Sequence, residues 1–160
     1  VVYVRVTSHL LEKTGKYSGI LRTVNRQDRW RIVTKKEPNP SEDIVTTYWY
    51  PLKGENQQQF EITGPASVRV LTRVQFDDEN TKENYHIRIR EDGFDLGTFY
   101  FNSEKSDASY VAKTRTPVGK WRSTLLNIPV GKHFYTFTIP NIKDDRTKTI
   151  FIRLKEWEKE

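Results

Sequence analysis

An all-β fold, specifically a two-sheet antiparallel β-sandwich of jelly-roll type with roughly ten to twelve strands, is what this sequence predicts. Three observations predict it. Apolar and polar residues alternate strictly through run after run, the period of a half-buried strand, while helical spacing is nearly absent. Turn signatures such as Gly64-Pro65, Glu91-Asp92-Gly93 and Pro129-Val130-Gly131 separate those runs. The 8 Tyr, 8 Phe and 4 Trp, together with many Val and Ile, suit pleated surfaces better than helices. An immunoglobulin-type domain would be nearer about 100 residues, whereas 160 residues make one larger domain that can bury a core without disulfides.

The elements follow in chain order. Val2, Val4 and Val6 alternate with Tyr3 and Arg5 as a first strand, and the short Ser8-His9-Leu10-Leu11-Glu12-Lys13 stretch has the only helical flavour. Ser18 to Val24 and Trp30 to Thr34 read as a hairpin about a polar turn. Residues 37–43 form a Pro-rich loop, and residues 1–36, too few for a core of their own, contribute strands to the same domain, residues 1–160. Ile44 to Tyr50 is a strand, and Gln57 to Thr63 another that stops at a Gly64-Pro65 turn. Val68, Val70, Thr72, Val74 and Phe76 set one face against Arg69, Leu71, Arg73 and Gln75. A polar loop, Asp77 to Asn84, then leads to Tyr85, Ile87 and Ile89, opposed by His86, Arg88 and Arg90, so the two runs are expected to pair as a hairpin with Arg73 opposite Arg88.

Later strands are expected at Leu96 to Phe101, at Tyr110 to Thr114 after a polar Asn102 to Asp107 segment, at Leu125 to Ile128, at His133 to Ile139, and at Ile150 to Leu154. Residues 155–160 read as a charged tail that leaves the fold or continues into a partner domain, with Trp157 exposed on it.

With 27 Lys and Arg against 21 Asp and Glu, the net charge is +6, which suits acidic partners. The basic residues are interspersed with acids along the chain, which disfavours nucleic acid. There is no cysteine, which rules out disulfides, zinc-thiolate sites and thiol nucleophiles. The lack of methionine points to a mature or excised form, and with it to a secreted, periplasmic or cell-surface location. No apolar run is long enough to span a bilayer as a helix.

Candidate binding residues come from two features. Arg69, Arg73, His86, Arg88 and Arg90 would share the outward face of the expected hairpin, where like charges persist if solvent screens them, if carboxylates such as Glu61 interleave, or if an anionic ligand covers them. Tyr48, Trp49, Tyr50 and Trp121 would offer aromatic planes on which sugar rings stack. The acidic loop Asp77-Asp78-Glu79 carries oxygen ligands for a structural calcium ion, and Asp144-Asp145 is a second such place; no other cofactor is expected. His9, His86 and His133 are far apart in sequence without metal-ligand spacing, and no catalytic fingerprint is present. The expectation is therefore a non-catalytic recognition module of an exported or envelope protein, binding glycan or another polyanionic surface through a cationic sheet face. The alternative is a structural domain that meets another protein chain.

Overall fold

The computed structural model describes residues 4–6, 21–23, 29–36, 39, 43–77, 79–142 and 147–156, the first two segments as backbone only. They form an all-β antiparallel structure of ten strands: β1 (Val4–Val6), β2 (Leu21–Thr23), β3 (Trp30–Lys35), β4 (Ile44–Lys53), β5 (Gln57–Val74), β6 (Lys82–Glu91), β7 (Phe94–Val111), β8 (Pro117–Gly119), β9 (Arg122–Thr138) and β10 (Thr149–Glu156). Hydrogen-bonded neighbours run β1-β2-β5-β10-β4-β3-β7-β6-β9, β8 joins β7, and β9 pairs back onto β5. The path from β5 round to β9 is thus a closed circuit, and closure satisfies backbone groups that an open sheet would leave at its edges.

Several strands are longer than their sequence suggests because they change partners part-way along. β4 pairs with β3 through Ile44–Trp49 and with β10 through Tyr50–Lys53. β7 pairs with β6 early and with β3 near its end. Gly64-Pro65 is no turn. It lies inside β5 at a register shift opposite Val130 and Gly131 of β9, and β5 runs on through it. A Cβ at Gly64 would stand 2.0 Å from the Pro129 carbonyl oxygen and 2.6 Å from that of Ile128, so only glycine allows this approach. The Pro129-Val130-Gly131 segment is likewise a bulge within β9. The Asn102 to Asp107 stretch is strand as well, its polarity met locally: Ser103 is fully buried, and its hydroxyl donates to the Lys120 carbonyl at 2.6 Å.

Alternation identified faces correctly and partners less well. Val68, Val70 and Val74 of β5, with Ile150, Ile152 and Leu154 of β10, lie in the larger core cluster together with Tyr85, Ile87 and Ile89 of β6. The expected β5–β6 hairpin does not form: β5 takes β9 and β10 as neighbours, and β6 takes β7 and β9. β5 and β6 instead face each other across the core, where Thr72 Oγ1 and Tyr85 Oη meet at 2.8 Å. The connection between β5 and β6 therefore joins strands on opposite sides of the core rather than neighbours in one ladder, and a clean period of two cannot tell these cases apart. Similarly, β2 and β3 are not a hairpin; β2 pairs with β1 and β5, while β3 forms its hairpin with β4 about the Pro-rich loop.

On the opposite face of β5 and β10, a smaller cluster joins Leu71 and Phe151 to Ile32, Trp49, Val111 and Val118, with Trp30 against it. Both faces of these two strands are thus covered over part of their length. Lys155 and Glu156, expected in the charged tail, instead continue β10 opposite Arg69 and Val68. Ser8 to Lys13, His9, Asp144-Asp145, Trp157 and residues 157–160 lie outside the described residues. Among the described residues no helix is long and apolar enough to cross a membrane.

Gly64→Ala should force β5 and β9 apart at the bulge and cost about 3 kcal/mol, as overpacking of a close contact does. Urea unfolding midpoints of the two proteins check this, and equal midpoints would show that the backbones can separate freely.

Candidate functional site

The partner assignments split the expected cationic cluster in two. On β6, Arg88 donates to Asp95 at 2.8 Å, His86 packs its ring against Tyr100 with centroids 5.1 Å apart, and Arg90 is exposed. Since Tyr85 points into the core, these alternate residues face outward on the β6 side. Arg69 and Arg73 point the other way, outward from β5, towards β3 and β4. Glu61, expected to interleave with them, is buried on the first half of β5 with Lys132 Nζ 3.5 Å from its carboxylate.

The β5 side is where charge, aromatics and concavity coincide. A pocket of about 230 Å³ is lined by Trp49, Arg69, Leu71, Arg73, Trp121, Arg153 and Lys155, with Thr34 and Thr47 at its β3–β4 wall. The register explains the convergence: Arg69 lies opposite Lys155 and Leu71 opposite Arg153 on β10, while Arg69 and Leu71 lie opposite Leu125 and Ser123 on β9. Among the described lining residues four are cationic and none is a carboxylate. Arg69 and Lys155 are like charges set directly across a ladder, which repel.

Arg73 is the centre of it. Its residue is only 9% exposed, and its Nε and Nη1 are buried with no hydrogen-bond partner. The guanidinium carbon sits 5.5 Å from the centroid of the Trp49 ring, a cation–π contact that partly offsets desolvation. Burial pulls its pKa down to about 10, the nearby Tyr85 acts in the opposite direction, and Arg153 pulls it down further. At neutral pH Arg73 is therefore a charged group with two of its three guanidinium nitrogens held away from water and without an acceptor. Trp49 itself is fixed, since its Nε1 donates to Thr47 Oγ1 at 2.7 Å, whereas Trp121 is 48% exposed at the rim.

The remaining aromatic candidates take other roles. Tyr50 is a core residue, packed edge-on against Phe60 at 5.2 Å, and burial pushes its hydroxyl pKa up to about 12. It is withdrawn from the binding set for that reason. Tyr48 is exposed and carries the Arg29 guanidinium 4.9 Å from its ring centroid, on the opposite side of β4 from Trp49. The sequence reading missed Arg153, Lys155, Thr34 and Thr47. Phe151 and Arg153 alternate with the inward residues of the last strand while Lys155 reads as tail, and nothing local says that β10 lies beside β5.

The acidic loop is held by its own amides. Asp77 Oδ1 accepts from the backbone N–H of Glu79 at 3.0 Å and of Asn80 at 2.8 Å, and Oδ2 accepts from the Asn80 side chain at 3.0 Å. These bonds, the Asn80 backbone amide first, hold the Asp77 pKa below the usual carboxylate range. Asp78 lies outside the described residues. The metal-capable group among the described residues is Glu91, Asp92 and His133, which the sequence did not suggest because β6 and β9 had not been paired. Here His133 Nδ1 lies 2.6 Å from Asp92 Oδ2 and Nε2 lies 3.0 Å from the Val130 carbonyl oxygen. Both ring nitrogens face acceptors, the arrangement of an imidazolium clamped to the β9 bulge rather than of a metal ligand.

Two outcomes follow. Arg73→Met removes an unpaired buried cation and should stabilise the fold by about 1–3 kcal/mol, raising Tm by several degrees, where a structural arginine would give a loss. Calorimetric melting of the two proteins decides between them. The Asp92 hydrogen bond raises the His133 pKa, and the bond from His133 lowers that of Asp92. The His133 contribution is therefore full below about pH 6.5 and lost as pH rises through its folded value, while that of Asp92 is lost as pH falls below about 3.9. His133→Gln should flatten the fall of Tm above pH 6.5; parallel Tm–pH curves would refute the coupling.

No family model matches the chain, and no curated protein matches it. Among solved structures it is similar to the CBM36-1 domain of a multidomain xylanase from the hindgut metagenome of Trinervitermes trinervoides, at 14% identity over 89% of this chain and 99% of that one, with a TM-score of 0.41. It is also similar to a carbohydrate-binding module CBM36 in complex with calcium and xylotriose, at 9% identity over 96% of this chain and 97% of that one, TM-score 0.40. A third is a family 35 carbohydrate-binding module from Clostridium thermocellum, at 17% identity over 96% of this chain and 98% of that one, TM-score 0.36.

Proposed function

We propose that the chain is a non-catalytic recognition module, a two-layer sandwich of jelly-roll type, that holds acidic glycan or another polyanionic surface in the pocket on the outer side of β5. One observation carries this reading: Arg73 keeps two nitrogen atoms buried without an acceptor at a site whose described lining holds further cations and no carboxylate. A charge left in that state costs folding free energy, and an anion that supplies the missing acceptors recovers it on binding. The described lining side chains are cations, indoles, hydroxyls and the apolar Leu71, groups that hold a ligand rather than transform it. A structural calcium at Asp77-Asp78-Glu79 is compatible with this reading, since the Asp77 carboxylate has lone pairs beyond those that accept the Glu79 and Asn80 amides, and the anion site does not depend on it. It carries with it an exported or cell-surface location, where acidic glycans are met.

Heparin affinity and a glycan array, at low and at physiological salt, test the reading with Arg73→Met and Arg88→Glu alongside. Because the two arginines face opposite ways, they serve as site and control. Binding should weaken with salt, fall at least tenfold in Arg73→Met and persist in Arg88→Glu. The reverse pattern would move the site to β6.

A second reading, docking to another protein chain, is favoured by exposed apolar side chains around the Asp92–His133 pair. Phe94 and Val130 are 76% and 78% exposed, and Phe134 and Leu96 are 40% and 43% exposed nearby. On that reading Phe94→Ser abolishes capture of a partner chain while leaving heparin binding intact.

A further inference from the structure

We propose that the pocket reads one sugar ring bearing a single anionic group, presented at a chain end or side branch, rather than a run of a polyanionic chain. This rests on the reading that the β5 face is the binding site. Size is the first support: at about 230 Å³ the pocket falls below the range of about 300–1,000 Å³ typical of drug-sized ligands. Shape is the second. Trp49 is buried in the smaller core cluster and Trp121 is half exposed at the rim, so the stacking surface that the lining offers is one indole, enough for one ring.

The chemistry of the walls selects charge over neutral hydroxyls. Thr47 already accepts from the Trp49 indole and donates to the Ile32 carbonyl at 3.5 Å, and Thr34 is paired with Ser109 at 2.7 Å. The hydroxyls of that wall are thus engaged, while the buried nitrogens of Arg73 are not. A neutral sugar would find an indole plane to stack on and would leave the guanidinium unanswered. A ring with a carboxylate or sulfate answers it, and the guanidinium in turn gives a charge-assisted bond in a place where water does not compete.

The whole chain, its fold verified by circular dichroism, is titrated calorimetrically with glucuronic acid, glucose, glucuronic acid methyl ester, glucose 6-sulfate and inorganic sulfate, and each is used to displace heparin. Glucuronic acid or glucose 6-sulfate should bind and displace heparin, and whichever binds more tightly identifies the anionic group. Glucose and the methyl ester should bind at least tenfold more weakly, and Trp121→Ala should weaken the sugar acid by roughly tenfold while hardly changing inorganic sulfate. Arg73→Lys keeps the charge and should recover only part of what Arg73→Met loses. Heparin binding that depends on Arg73 but is not displaced by either charged monosaccharide would overturn the single-ring inference and leave the recognition module standing. Inorganic sulfate competing as well as the sugars would overturn it too, because the ring would then contribute nothing. If neither heparin nor any monosaccharide binds in an Arg73-dependent way, the reading of the face itself falls.

Discussion

The approach of two backbones at Gly64 is the constraint from which the rest of the architecture follows. With no side chain in the way, β5 passes the bulge of β9 and runs on for its full length, so a single strand serves one set of neighbours before the glycine and another after it. Its first part carries β2, and its second carries β10, which in turn brings β4 and β3 round to the outer side. Were β5 to end at Gly64-Pro65, the second half would be free to choose a different partner, and the circuit that joins β9 back to β5 would open.

Covering both faces of β5 and β10 is also what makes the pocket. An outward sheet face would ordinarily leave arginines in water, where their charges are screened and inexpensive. Here the smaller cluster of Ile32, Trp49, Leu71, Val111, Val118 and Phe151 builds a second apolar layer over part of that face. Arg73 is caught at its margin, beside Trp49, with two of its nitrogens buried and without an acceptor. Stability and recognition pull against each other at this residue, which is the usual sign of a side chain retained for what it meets rather than for what it supports.

Which residues point together was largely legible in the sequence, and which strands lie together was not. The inward sets on β5, β6 and β10 stand as the alternation predicted, because a period of two is a property of the single chain. Arg69 and Arg73, set on one face by alternation, and Trp49 and Trp121, named as aromatic planes, line one pocket. Arg88, Arg90 and His86 do not join them, since β5 and β6 lie on opposite sides of the core and local pattern carries no information about layers. Tyr50 looked like Tyr48 in sequence, yet its neighbour Pro51 continues the strand into the core instead of ending it. The Glu91–Asp92–His133 group was invisible for the same reason as Arg153: its members meet only through ladders between strands distant in sequence.

The position of β10 has a bearing on how this chain acquires its shape. β4 and β5 are consecutive in sequence, but they are held apart by a strand that comes after all the others, paired to one on each side. As the chain leaves the ribosome, the two long ladders flanking that gap have exposed edges until Thr149–Glu156 arrives to fill it. Such non-local closure makes for slow folding and a late, all-or-none final step. A nascent chain in that state can accept the equivalent strand of a second copy, so strand exchange is the misassembly to which this topology is most exposed.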